Sequence, residues 1–213
     1  MDGGGGTKKQ ATAETILEWK SSADNASGMA LQVQLASTTR LFVVMGVASS
    51  GKSTVAAMLA QSCGGEFLDA DVFHPPENIA KMQSGNPLND ADRAGWLDRL
   101  NLELRRRAGQ SRPVFLACSA LKQNYRKKIS VGLAVNWIYL RISREAACRR
   151  MEQRANHFMP ATLVDSQFAA LEEPSEALIL DAEQPAARLA ALVQKAFADL
   201  PWKPSRPFDV CSA

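Results

Sequence analysis

The chain has 213 residues, and 25 Lys and Arg against 22 Asp and Glu leave a formal charge of +3, a balance too even to point to a nucleic-acid or membrane partner. With 46% hydrophobic and 22% charged residues the composition is that of a globular protein, and a single domain of this length buries roughly 70% of the surface its unfolded chain exposes. Disordered and fibrous classes are excluded for the bulk of the chain.

Residues 1–38 open with four consecutive glycines and continue in Lys, Ser, Thr, Ala and Gln, with only a short helical pattern around Ile16, Leu17 and Trp19, so they read as a flexible extension of a domain spanning 39–200. From there, apolar runs of strand length alternate with amphipathic helices. Strands are expected at Leu41 to Met45, Glu66 to Asp69, Val114 to Cys118, Asn136 to Arg141 and Ala177 to Leu180. Helices are expected at Lys52 to Gln61, Ile79 to Met82, Asp90 to Arg107, Lys122 to Ile129, Arg144 to Gln153, Ala161 to Leu171 and Pro185 to Ala198. The first and third strands lack polar alternation, so both faces should be buried, as in a parallel sheet covered by helices. The long helix has Asn89 as its N-cap, Asp90 and Asp92 at its positive end, and Trp96, Leu97, Leu100 and Leu104 in one stripe. Pro201, Pro204 and Pro207 break the chain into an irregular tail over 201–213. The expected fold is therefore α/β, a doubly wound five-stranded parallel sheet sandwiched by helices.

Directly after the first strand stand Gly46, Val47, Ala48, Ser49, Ser50, Gly51, Lys52 and Ser53, matching G-x-x-x-x-G-K-[ST], and a helix-forming run begins at once. A chance match is on the order of 1 in 100 for a chain of ordinary composition, and the strand before and helix after reduce it further. The glycines let backbone N–H groups face a phosphate, the helix N-terminus adds positive potential, Lys52 reaches the terminal phosphates and the Ser53 hydroxyl can ligate Mg²⁺. ATP and Mg²⁺ are the implied nucleotide and ion, with Thr54 the next residue of the loop. A guanine-reading N-K-x-D element is absent, and Asp92 to Gly95, which imitates D-x-x-G, falls inside the long helix.

Asp69 and Asp71 end the second strand, where open α/β sheets bind ligands. One can serve Mg²⁺ through water and the other accept a proton from an attacking hydroxyl. Asp71 is the choice for the base and Asp69 for the metal, the roles being exchangeable. His74 follows in an extended segment set by two prolines and can hydrogen-bond a polyol hydroxyl. Lys81, Arg93, Lys122 and Arg126 are candidate partners for an acidic substrate. Lys122 and Arg126 are favoured, because Cys118 closes a buried strand and Ser119 can cap the next helix beside the ligand crevice. Residues 105–128 hold eight Lys and Arg and no acid, yet lack the aromatic platforms of a nucleic-acid site. Arg105, Arg106 and Arg107 read as a solvated helix end. Arg150 and Arg154 share one helical face that can neutralise a transferring phosphoryl group.

The run from His74 through Asn78, Ile79, Lys81, Met82, Gly85, Pro87, Leu88, Asn89, Asp90, Asp92 and Arg93 to Trp96 and Leu97 resembles the gluconokinase family, P-loop kinases that phosphorylate D-gluconate on its 6-hydroxyl with ATP. The resemblance continues through Cys118 to Arg126, Arg154 with His157 and Phe158, Ser166 to Pro174, and Asp181 with Gln184 and Pro185, covering roughly residues 40–198. It implies a mobile lid over about 150–162 carrying Arg154 and His157, and an adenine-contacting loop with Gln184 and Pro185. Two departures stand out. Ala48 and Ser49 replace the Ser and Gly common in the family's loop, and Asn156 stands where many members have Gly before the lid histidine.

The expected reaction is γ-phosphoryl transfer from ATP to D-gluconate. A kinase for another polyol acid, shikimate-like, and a nucleotide-binding regulatory or RNA-associated protein are the alternatives. The sequence fixes no oligomeric state, a homodimer being one option. Cys63, Cys118, Cys148 and Cys211 lie 30 or more residues apart with no C-x-x-C pair, implying free thiols in a reducing, cytoplasmic compartment. No apolar run reaches the ~18 residues of a membrane span.

Overall fold

The computed structural model describes residues 40–153 and 161–198. The expected N-terminal extension, the centre of the expected lid with Arg154, Asn156 and His157, and the proline-rich tail lie outside the described residues. In chain order the elements are β1 (Leu41–Met45), α1 (Lys52–Cys63), β2 (Glu66–Asp69), a 3₁₀ turn (Ala70–Phe73), α2 (Pro76–Gln83), α3 (Asp90–Ala108), β3 (Val114–Ala117), α4 (Gln123–Ser130), β4 (Asn136–Arg141), α5 (Arg144–Glu152), α6 (Ala161–Ala170), β5 (Leu178–Asp181) and α7 (Ala186–Ala196). All neighbouring strand pairs are parallel, in the order β2-β3-β1-β4-β5. No helix among the described residues is long and apolar enough to cross a membrane.

Burial on both faces of the sheet explains the uninterrupted apolar strands. Phe42, Val44, Phe115, Ala117, Ile138 and Leu140 point to one side and pack on Val55 and Leu59 of α1, Ala147 of α5 and Leu189 and Val193 of α7. Leu41, Val43, Met45, Val114 and Leu116 point to the other side, against Trp96, Leu97, Leu100 and Leu104 of α3 and Tyr125 and Ile129 of α4. Phe42 and Phe115 stack at 4.9 Å across the β1/β3 pair.

Three local expectations change. Helix α2 is twice the expected four residues, because Pro76 enters at its first position, where a missing N–H costs nothing. Ser119 caps no helix. Ala120 adopts a left-handed φ of 44°, the helix waits until Gln123 behind Lys122, and the Ser119 carbonyl instead accepts from Gly46 N–H at 3.4 Å. Arg107 is no solvated helix end. It pairs with Glu66 and Glu103, while Arg112 also meets Glu66 and Lys128 meets Asp98. Much of the basic stretch thus spends its charge inside the domain.

Helix α3 is the support for the functional edge. It starts with a reciprocal capping box between Asn89 and Asp92, and Trp96 Nε1 donates to the Ala70 carbonyl at 2.8 Å, pinning the 3₁₀ turn that carries Asp71. Trp96→Phe leaves that buried carbonyl without its partner while keeping most of the ring. Urea unfolding should therefore show a loss of about 1–3 kcal/mol.

Candidate active site

Wholly buried β1 delivers the chain to Gly46, whose φ of 145° and close neighbours admit no side chain. The loop then turns through Ser49 (φ 62°) and Gly51 (φ 92°) into α1. Lys52 bends back so that its Nζ donates to the Val47 carbonyl at 2.8 Å. Val55 N–H begins the helical ladder on the Gly51 carbonyl. The amide of Ala48 takes a side-chain partner, Gln167 Oε1 at 2.6 Å.

On one flank of this loop lies a cavity of about 470 Å³ lined by Ser49, Ser50, Gly51, Thr54, Arg150, Gln184 and Pro185, among others. Three of its polar oxygens, Ser49 Oγ, Ser50 Oγ and Gln184 Oε1, are buried without a hydrogen-bond partner among the described residues. Arg150 reaches across the cavity, donating to the Ser49 carbonyl at 3.4 Å and the Ala182 carbonyl at 2.8 Å.

On the other flank, at the end of β2, Ser53 Oγ donates to Asp69 Oδ2 at 3.1 Å. Asp69 Oδ1 accepts from Asp71 N–H at 3.1 Å and so caps the 3₁₀ turn. Both oxygens of Asp69 are therefore engaged. The Asp71 carboxyl accepts no hydrogen bond among the described residues, and crowding around it, reinforced by the Asp69 charge, pushes its pKa above the ordinary aspartate value against the pull of Lys52. A carboxyl raised in this way is a better proton acceptor at neutral pH.

Beyond Asp71, α2, α3 and α4 gather the polar residues anticipated from sequence. His74 is buried and stacks on Trp96 at 4.2 Å between ring centres. Asn78 Nδ2 donates to the Asp92 carbonyl at 2.8 Å, which fixes the orientation of its amide, and lies 3.3 Å from His74 Nδ1. His74 Nδ1 is thus an acceptor, and the neutral ring carries its proton on Nε2 as a donor. Burial, with Arg93 adding to it, lowers the His74 pKa to about 4. Lys81 pairs with Asp92 at 2.6 Å, and Arg93 Nη1 donates to the Leu88 carbonyl at 2.6 Å.

Lys122 bonds Asp90 at 2.7 Å, and the Tyr125 hydroxyl donates to the same carboxylate. Arg93 and Lys122 both stand over the Tyr125 ring, at 5.6 and 5.5 Å. Arg126 is different. It is buried, and its Nη1 donates to the Ala120 and Leu121 carbonyls at 3.0 Å, clamping the strained turn after β3. Sequence reasoning passed over Asn78, Tyr125 and Gln167 as individual groups. Their partners lie on other elements, and no local spacing marks them.

The neutral His74 gives stability a defined pH dependence. Between about pH 4 and 6.5 the unfolded histidine binds a proton that the folded one does not, so stability rises with pH and is lost as pH falls through that window. The melting temperature should therefore fall more between about pH 7 and pH 5 in the parent than in His74→Asn. Asp71, raised in both proteins, acts with the opposite sign and cancels in the comparison. An equal fall in the two proteins would place the acid sensitivity elsewhere.

The chain matches a family model described as an AAA domain over residues 41–177. It is 40% identical to the gluconokinase of Gluconobacter oxydans over 146 residues, covering 68% of this chain and 82% of that protein. The crystal structure of a sugar kinase from Janibacter superposes with a TM-score of 0.70 at 43% identity, over 76% of this chain and 96% of the other. That of a gluconokinase from Sinorhizobium meliloti gives 0.65 at 38% identity, over 75% and 90%. Parallel sheet, phosphate loop and extended likeness agree, and the chain belongs to the gluconokinase family of P-loop kinases.

Proposed function

We propose that the protein transfers the γ-phosphoryl group of ATP to the 6-hydroxyl of D-gluconate, giving 6-phosphogluconate and ADP. The observation that carries this reading is the identity to named gluconokinases across most of the chain, in a protein whose phosphate loop and Asp71 both follow the carboxyl ends of parallel strands, β1 and β2. The nucleotide takes the flank lined by Thr54, Arg150, Gln184 and Pro185, with its phosphates on the backbone of Gly46 to Ser53. Ser53 Oγ and Asp69, 3.1 Å apart, are the hard oxygen donors that suit Mg²⁺ beside nucleotide phosphates. When bound there, the ion neutralises phosphate charge.

The chain's own groups do the rest. Asp71 orients the 6-hydroxyl and takes its proton as oxygen attacks phosphorus in line. Lys52 and Arg150 offset the charge spreading over the equatorial oxygens, and by resemblance Arg154 and His157 join them from the lid. His74 donates from Nε2 to a gluconate hydroxyl. Three cations, Lys81, Arg93 and Lys122, against two carboxylates, Asp90 and Asp92, leave one net positive charge for the substrate carboxylate. Arg126 shapes this site as the clamp on residues 120 and 121. The free thiols Cys63, Cys118 and Cys148 support a reducing, cytoplasmic setting.

A coupled ADP-release assay over gluconate, other sugar acids, shikimate and nucleoside monophosphates tests the reading. Turnover is expected with gluconate, and preference for another acceptor would replace it. Asp71→Asn keeps shape but cannot take a proton, so turnover should drop about 10²-fold or more while ATP binding, followed by titration, barely moves. A collapse in Asp69→Asn with near-normal Asp71→Asn would transfer the base to the neighbour. Lys122→Met should raise the gluconate KM about tenfold, as loss of a charge-assisted contact does, without changing the KM for ATP.

A further inference from the structure

Residues 154–160 are flanked by α5 and α6, and both helices reach the phosphate loop at adjacent residues. From α5, Arg150 Nη1 donates to the Ser49 carbonyl at 3.4 Å. From α6, Gln167 Oε1 accepts from the Ala48 amide at 2.6 Å, across 119 positions of sequence. Arg144 joins the two helices, donating to Asp165 Oδ1 at 2.6 Å. The loop is otherwise held by backbone partners, Gly46 N–H on Ser119, Ser50 N–H on Val47 and Val55 N–H on Gly51, and by two side chains of its own, Lys52 on the Val47 carbonyl and Ser53 on Asp69.

The Arg150 and Gln167 contacts bracket Ser49, a residue with a Cβ at a φ of 62°. Such a conformation persists only where its surroundings over-determine it. Glycine would take this conformation without such support, so the serine makes this chain depend on its brackets. An amide oxygen suits the task at Ala48, because it accepts the N–H without bringing a negative charge beside incoming phosphates.

We infer that Gln167 is a positioning residue for the phosphate loop: by holding the Ala48 amide it keeps the left-handed turn at Ser49 in the shape that receives nucleotide phosphate. Nucleotide affinity is then set in part from α6, the helix that follows the lid segment. The inference rests on the kinase reading of the loop, but its test does not need gluconate turnover.

The experiment is a calorimetric titration of the full chain with MgATP for the parent, Gln167→Met, Ser49→Gly and the double variant, alongside KM values for both substrates and melting temperatures. Gln167→Met removes the acceptor and keeps the volume. It should raise the ATP Kd and the KM for ATP roughly three- to tenfold, the range of one lost hydrogen bond, with the gluconate KM within about twofold and the melting temperature nearly unchanged. Adding Ser49→Gly should restore at least about half of the loss on a logarithmic scale, because glycine takes the turn without strain and the two changes are coupled. An ATP Kd within about twofold of the parent, an equal rise in both KM values with a lowered melting temperature, or no rescue by Ser49→Gly would each overturn the inference. A parent that binds ATP but does not phosphorylate gluconate would overturn the substrate reading and leave the titration to judge Gln167.

Discussion

Gly46 has no room for a side chain. A Cβ there would stand 2.7 Å from the Leu140 carbonyl oxygen and 2.9 Å from Ser50 Oγ, closer than real Cβ atoms come. That proximity follows from β1 lying hydrogen-bonded between β3 and β4, entirely buried under helices on both faces. The chain leaving such a strand passes beside the end of β4 before any helix can begin, and only a glycine passes. The tight exit sends the next residues around a closed turn, so α1 starts with its N-terminus aimed back over the end of the sheet. The cavity lined by Thr54, Arg150 and Gln184 then lies on the β5 side of that turn and the two acids on the β2 side.

The two aspartates illustrate how the surroundings divide labour between identical side chains. Asp69 accepts from a hydroxyl and from a backbone amide, so its oxygens have donors that fix their direction. Asp71 lacks such donors among the described residues, and the protein crowded around it, with the Asp69 charge second, raises its proton affinity. The proposed roles, Asp69 toward the metal and Asp71 toward the proton, rest on this difference in environment. The same economy governs the cations. Arg126, buried on carbonyls, is held to one structural task, while Arg93 and Lys122 share the face of Tyr125 and keep their charge near the surface.

What could be read from the sequence was contiguous. The loop from Gly46 to Ser53 with its strand and helix, the solid apolar strands, and the cap and stripe of α3 each depend on residues close along the chain, where spacing determines geometry. What could not be read joins distant segments: Lys122 with Asp90, Arg107 with Glu66, Ala48 with Gln167. No periodicity encodes such pairs, because sheet order decides which loops become neighbours. The misplaced cap at Ser119 has a related cause. Its residue type is right for an N-cap, but the turn after β3 uses Ala120 in a left-handed conformation that Arg126, from the following helix, stabilises. Local propensity lost there to a tertiary contact.

Among the described residues the two left-handed ones that are not glycine, Ser49 and Ala120, occupy equivalent places: each lies just beyond the carboxyl end of an inner strand, β1 or β3. Each is held by a side chain from further along the chain, Ser49 between the contacts of Arg150 and Gln167, Ala120 by Arg126. Strain at the mouth of a parallel sheet thus recurs with an outside brace. The braces come from α4, α5 and α6, so the shape of each turn is tied to how those helices sit. A substitution far from the turn in sequence can therefore alter binding while every loop residue is untouched. The two braces at Ser49 differ in place: Arg150 lines the cavity itself, whereas Gln167 is not among its lining residues and holds the turn without filling the space that a ligand needs.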